Sequence, residues 1–309
     1  MTYEIFKKEL ISLLEERIDA DQEIDVRPVL KNNDLWLDGL SILQSSVNIS
    51  PTIYLHTCYE IFQEGSSLTE IADRILSSFS EYRLKEDVDL SFFTDFSKVR
   101  EHIIYKLVNI EKNKELLAEV PFVPYLDLAV VFCYYILADE TFPEQMTRSN
   151  ASILIRNDML DIWHITPKEL LSYARRNTPK LLAPKMHSFS GLVDSMLEAA
   201  GQSLPEIEDM EDLADFQMYV LTNANQYFGA AVMLYPQIMQ KCAKVTESDF
   251  VILPSSVHEL ILLPYQNRFD LEEMSALVRQ VNATCVMPEE VLSDHVYYYD
   301  HVNNRVSYS

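Results

Sequence analysis

Apolar residues at Tyr3, Ile5, Phe6, Leu10, Leu13, Leu14 and Ile18 recur with the i, i+3, i+4, i+7 spacing of one helical face, which predicts an amphipathic helix over residues 2–18. In IDVRPVLKNNDLWLDGLSIL two apolar runs flank Lys31-Asn32-Asn33-Asp34. Adjacent Asn and Asp tolerate a positive φ, so this stretch reads as strand, turn, strand. Ser50-Pro51 reads as a helix opener, Ser as the cap and Pro at the first helical position, leading to a helix that ends at Gly65. Another helix is expected from Ser67 to Tyr82.

The same order recurs downstream. ASILIRNDMLDIWHI is apolar, Arg156-Asn157-Asp158, apolar, and Thr166-Pro167 opens KELLSYARRN. QMYVLTNANQYFGAAVMLY is apolar, Asn223-Ala224-Asn225-Gln226, apolar, and Pro236 opens QIMQKCAKV. DFVILPSSVHELILLP places Pro254-Ser255-Ser256 between two strands ahead of the helical DLEEMSALVRQVNA, and a last pair around Asn303-Asn304 ends the pattern. Turns this short join antiparallel strands only. The prediction is therefore an α+β fold of repeated strand-turn-strand-helix units, with antiparallel sheets carrying helices on one face. A change of character between Glu86 and Pro121 puts the expected boundary near 115, giving an N-terminal α+β domain over 1–115 and a C-terminal one over 116–309. Residues 203–215 hold six acids and no base and read as a surface linker or solvated helix face.

Composition narrows the chemistry. With 309 residues, 48% of them hydrophobic, the chain can bury a sizeable core. Its net charge of −23 would repel phosphate backbones and anionic lipid, so direct nucleic-acid binding is not expected. The longest apolar stretch, Ala129 to Ala138, is half of a membrane-spanning helix, and the charged start MTYEIFKKELISLLEE lacks a signal-peptide core; a cytoplasmic protein is expected. The N-x-S/T matches at Asn48, Asn150 and Asn282 then carry no meaning. Cys58, Cys133, Cys242 and Cys285 are far apart and read as reduced core thiols. Only five glycines occur, and the nearest pair, Gly191 and Gly201, is ten positions apart. Dinucleotide, P-loop and kinase glycine loops and the G-x-S-x-G elbow all need a closer pair, so none is present.

Several segments resemble two related families of uncharacterised bacterial proteins, mostly from Firmicutes, each known as a domain of unknown function. VLKNNDLWLDGL, ISPTIYLHTCYEIFQEG and ILPSSVHELILLP carry the first likeness over nearly the whole chain. IWHITPKELLSYARRN, the ILPSS turn and MPEEVLSDHVYYYD carry the second over residues 120–309. In that broader family the position of His164 is usually Gly and the second strand of the third hairpin differs. The resemblance implies a shared architecture and brings no activity with it.

Candidate chemistry centres on two places. Ser255, Ser256, His258 and Glu259 form the densest polar cluster, and Ser256, His258 and Glu259 are the materials of nucleophilic or acid–base catalysis. On a regular strand His258 and Glu259 point to opposite faces, and the plain alternative is a hairpin whose serines bond their own turn. The second place is a basic island: Lys168, Arg175, Arg176, Lys180 and Lys185 against Glu169 alone. Arg175, Arg176, Lys180 and Lys185 are the candidate binding residues, for an acidic partner, a phosphorylated ligand or the chain's own acidic segment. Asp294, His295, Asp300 and His301 fit no metal motif and read as a solvated hairpin edge, while His56 reads as a packing residue. Seventeen tyrosines, three consecutive at Tyr297 to Tyr299, suit a protein interface.

The sequence thus predicts a non-enzymatic, macromolecule-binding or adaptor protein whose partner is another protein, without cofactor, metal or membrane association. The alternative is a hydrolase or transferase of unfamiliar type on the Ser-Ser-Val-His-Glu segment, and the third reading is an acidic nucleic-acid mimic. Enzymatic activity and oligomeric state stay open.

Overall fold

The computed structural model describes residues 1–45, 47–48, 50–82, 90–137, 150–188, 217–265 and 270–308. The acidic run over 203–215 lies outside the described residues. The chain forms two compact units, Met1–Thr94 with Ile136–Ala151, and Asp95–Tyr135 with Ser152–Ser309.

In the first unit, helix α1 (Tyr3–Glu15) buries Phe6, Leu10 and Leu14 from one stripe, as its periodicity requires. Strands β1 (Gln22–Leu30) and β2 (Trp36–Gln44) pair antiparallel from Gln22↔Gln44 to Leu30↔Trp36. Their turn places Asn33 at φ 62° and Asp34 at φ 50°, the left-handed region these side chains tolerate. Ser50-Pro51 does not open a helix. Ser50 Oγ donates to the Ile42 carbonyl at 2.8 Å, and β3 (Thr52–Tyr54) adds to β2 before helix α2 (Leu55–Gln63) begins. Gly65, at φ 112°, ends α2 with Ser66 N donating to Ile61 O and Gly65 N to Phe62 O, a Schellman pair. Helix α3 (Leu68–Tyr82) starts on a reciprocal box, Glu70 accepting from Ser67 N at 2.8 Å while Glu70 N donates to Ser67 Oγ at 3.2 Å. Phe6, Leu10, Leu40, Ile42, Leu55, Ile71, Ile75 and Phe79 make the core. His56 packs its ring 4.4 Å from Tyr3, whose hydroxyl donates to Asp38 at 2.8 Å.

The second unit has two sheets, and every strand pairing among the described residues is antiparallel, in keeping with the α+β class. Helix α4 (Phe96–Val99) leads to β4 (Ile103–Asn109); α5 (Lys114–Glu119) and β5 (Phe122–Tyr125) follow, then β6 (Leu128–Tyr135) and β7 (Ser152–Leu154). β6 pairs with β4, β5 and β7 and is buried at every position, which is why it reads as an unbroken apolar run rather than an alternation. β4 precedes residue 115 and β6 follows it, yet they pair from Ile103↔Tyr134 to Asn109↔Leu128. The six-stranded sheet has the order β13-β12-β10-β11-β9-β8. Its strands are β8 (Pro184–Ser188), β9 (Tyr219–Asn223), β10 (Phe250–Ser256), β11 (Glu259–Pro264), β12 (Tyr297–Asp300) and β13 (Arg305–Tyr308). Helices α6 (Asn157–Trp163) and α7 (Pro167–Leu181) connect β7 to β8, α8 (Ile238–Thr246) lies between β9 and β10, and α9 (Leu271–Thr284) between β11 and β12. Within this unit Asp127, at the β5–β6 turn, accepts from Ser293 Oγ at 2.6 Å and from Tyr297 Oη at 2.8 Å. A single carboxylate thereby ties the smaller sheet to β12.

The expected repeat does not hold throughout. After β7 the segment MLDIW forms α6, because Leu160 and Trp163, three apart, are the pair that becomes buried. After β9 the run GAAVML forms a 3-10 helix at Gly229–Leu234, entered at a glycine packed so closely on the β10–β11 turn that a Cβ there would meet the His258 carbonyl oxygen and Thr222 Oγ1, each at 2.1 Å. The β1–β2 and β12–β13 hairpins form as the sequence predicts, and a β10–β11 hairpin forms with its turn displaced.

Candidate functional site

The β10–β11 hairpin turns at Val257-His258, not at Pro254-Ser255-Ser256, because a register shift between Pro254 and Ser256 leaves Ser256 paired with Glu259. The turn is clamped by backbone. Val257 N donates to Glu290 O at 2.8 Å, Ala230 N to Val257 O at 3.3 Å, and Thr222 Oγ1 to His258 O at 2.7 Å. His258 Nδ1 accepts from Phe228 N at 3.2 Å, so a neutral ring carries its proton on Nε2. That nitrogen is 3.8 Å from Glu290 Oε1, too far for a hydrogen bond. The ring lies parallel to that of Phe228, an interplanar angle of 8°, and Lys106 Nζ sits 4.7 Å from the Phe228 centroid. Burial lowers the His258 pKa, helped by the Lys106 charge, and outweighs Glu290, the Gln226 backbone and Glu259, which pull the other way.

Ser256, His258 and Glu259 are neighbours without being a relay. Ser256 Oγ accepts from the backbone N of His258 at 3.0 Å, and Ser255 Oγ donates to Glu259 Oε1 at 3.1 Å. The His258 ring touches neither Ser256 nor Glu259 through a hydrogen bond; its companions are Phe228, Lys106 and Glu290, which lie far from it in sequence. Sequence reasoning missed all three. The one available signal was Gly229 after Tyr227-Phe228, which marks a close backbone approach.

The basic island falls on the outward face of α7 and the start of β8. Thr166 caps the helix, and Glu169 accepts from Thr166 N and Oγ, each at 2.8 Å. These bonds hold the Glu169 carboxyl below the usual carboxylate range. The only acid of the island is thereby engaged at the helix start. Leu170, Ala174, Asn177 and Thr178 face inward. Asn177 Nδ2 donates to Arg100 O at 2.7 Å and to Ile103 O at 3.1 Å, while Thr178 Oγ1 accepts from Tyr105 N at 3.2 Å. These bonds lock the helix on β4 and fix which side is turned outward. Lys168, Arg175, Arg176, Lys180 and Lys185 are all exposed, and among the described residues none forms an ion pair. The Arg176 guanidinium rests 4.8 Å over the Tyr173 ring, itself edge-on to Phe96, which packs against Trp163.

The remaining candidates are dispersed. Asp294 pairs with Lys112 at 2.7 Å, and Asp300 caps its own turn through Val302 N and Asn303 N. His301 Nδ1 meets Asp249 at 2.5 Å. No group of three or more His, Cys, Asp or Glu side chains able to hold a metal occurs among the described residues. Cys58, Cys133 and Cys242 are buried free thiols, whereas Cys285, expected in the core, is exposed. Tyr297 and Tyr299 are buried and Tyr298 half-buried, as alternation on a strand requires.

No helix of the described residues is long and apolar enough to cross a membrane. Residues 3–301 match a family of unknown function (DUF5688), and the chain belongs to that family. No curated protein and no solved structure matches it.

Proposed function

We propose that this family member is a cytoplasmic, non-enzymatic binding protein that docks an acidic partner protein on the outward face of α7. One observation carries the reading. A chain of net charge −23 keeps Arg175, Arg176, Lys180 and Lys185 exposed and, among the described residues, without an ion pair, with Glu169 engaged in the helix cap. Cations presented on a rigid element and left uncompensated steer an oppositely charged partner and fix its register. The enzymatic alternative draws less support, because the hydroxyl of Ser256 and the carboxylate of Glu259 are engaged within the hairpin itself.

The test compares two baits, the wild-type protein and its Arg175→Glu/Arg176→Glu/Lys180→Glu variant, both exposed to nuclease-treated native lysate and washed with rising salt. The expected outcome is a stoichiometric acidic protein held by the wild type, released well below about 1 M salt, where the Debye length is about 3 Å, and absent from the variant. Equal retention by both baits would overturn the reading.

A further inference from the structure

Resting on that reading, we propose that the occupant of α7 is an extended Asp/Glu-rich stretch of about six residues in another protein, lying along the helix, and not a folded acidic surface. At about 100° per residue the exposed cations of α7 fall into two rows. Lys168 and Arg175, seven apart, form one; Arg176 and Lys180, four apart, form the other, whose N-terminal end is Glu169, its carboxylate held by Thr166 in the helix cap. Between the rows run the exposed Ser172 and the half-buried Pro179, small side chains that leave a shallow strip. An extended chain sends successive side chains to opposite sides, so consecutive acids laid in this strip reach the two rows in turn. The lengths agree. The twelve helical steps from Lys168 to Lys180 span about 18 Å, and an extended chain covers that distance in about six residues.

Charge favours a single strand over a surface. The Debye length is about 8 Å at physiological ionic strength, so a lone chain in the strip feels the cations on both sides and little of the acidic remainder. A folded acidic protein, a second copy of this chain included, would bring further carboxylates over a molecule of net charge −23. Arg176, seated on the ring of Tyr173, gives up less side-chain freedom on engagement than a freely moving arginine would.

Fluorescein-labelled hexaglutamate and hexaglutamine, titrated by anisotropy against the full chain, test this directly. The expected result is saturable binding of hexaglutamate, none of hexaglutamine, and at least about a tenfold loss of affinity in Arg175→Glu/Arg176→Glu. Near-UV circular dichroism checks that the variant is folded, and Lys168→Glu, a smaller change in the same strip, repeats the test should the double variant fail to fold. Absence of hexaglutamate binding, or equal binding to the variants, overturns the extended-segment proposal. If that happens while lysate capture still depends on α7, the docking reading survives alone; if capture is also indifferent to α7, both fall. A third variant changes Glu206, Glu208, Asp209, Glu211, Asp212 and Asp215 to their amides. Unchanged hexaglutamate affinity in it is expected, whereas binding seen only in this variant would make the occupant the chain's own segment and overturn the proposal.

Discussion

In the β10–β11 turn, Ser255, Ser256 and Glu259 are bonded within the hairpin and His258 accepts from Phe228 N. On α7, Lys168, Arg175, Arg176 and Lys180 are bonded to no acid among the described residues. Both stretches looked reactive for the same reason, a local concentration of polar side chains. The difference lies in what their backbone offers. A tight turn exposes unpaired N–H and C=O groups within reach of short side chains, so Ser256 is used on the N–H of His258, while the imidazole is used on Phe228 N of the segment packed beside the turn. A helix interior has no spare backbone groups, and long cationic side chains on its outer face find only solvent or a partner. Density of polar residues at a turn is therefore weaker evidence of a site than uncompensated charge on a rigid helix.

If the His258 turn is structural, its most severe lesion is steric. Gly229→Ala puts a methyl group 2.1 Å from the His258 carbonyl and from Thr222 Oγ1, both backed by packed chain. The expected cost is about 3 kcal/mol, read as a lowered urea midpoint at unchanged slope. A loss under about 1 kcal/mol would mean that the turn yields easily and is not the rigid clamp described.

How much of this was legible follows the range of the interactions. The helix faces, the Asn33-Asp34 turn, the Gly65 terminus and the Thr166 cap rest on neighbours within a few positions, and the sequence predicts them correctly. The second apolar run of QYFGAAVMLY has the pattern of a strand and forms a 3-10 helix instead, packed against the His258 carbonyl, 29 residues beyond Gly229, a contact that exists only once β9 and β11 pair. The α7 cations were legible as a charge island. Their outward direction was not, since it is set by Asn177 and Thr178 bonding to β4 and the segment before it.

A milder change probes the imidazole alone. His258→Ala removes the acceptor of Phe228 N and the stack on Phe228, and should cost about 1–2 kcal/mol by denaturant unfolding. A finer effect is its pH dependence. The folded-state pKa of His258 is lowered, first by burial, so between the folded value and the ordinary value near 6.5 the unfolded chain binds the proton more readily. Its contribution is thus full above the unfolded value and fades as pH falls towards the folded one. His258→Gln should flatten that part of the stability profile relative to wild type. Parallel profiles would show that the ring titrates alike in both states.

The smallest predicted effect discriminates most. Arg175→Ala/Arg176→Ala removes two exposed cations, neither of them in an ion pair among the described residues, so unfolding free energy should shift by no more than about 0.5 kcal/mol. Arg176 adds only its contact with Tyr173, worth about 0.5–1 kcal/mol at an exposed site and largely offset by regained side-chain freedom. Arg176→Lys keeps the charge and gives up the planar contact, so it separates the two contributions. If the double alanine variant proves as costly as His258→Ala, α7 is held by its arginines and their exposure is no sign of a docking face. If stability holds while affinity for a glutamate-rich segment collapses, these residues serve binding alone, and the contrast between a turn whose polar groups serve the fold and a helix whose charges do not would be measured on both sides.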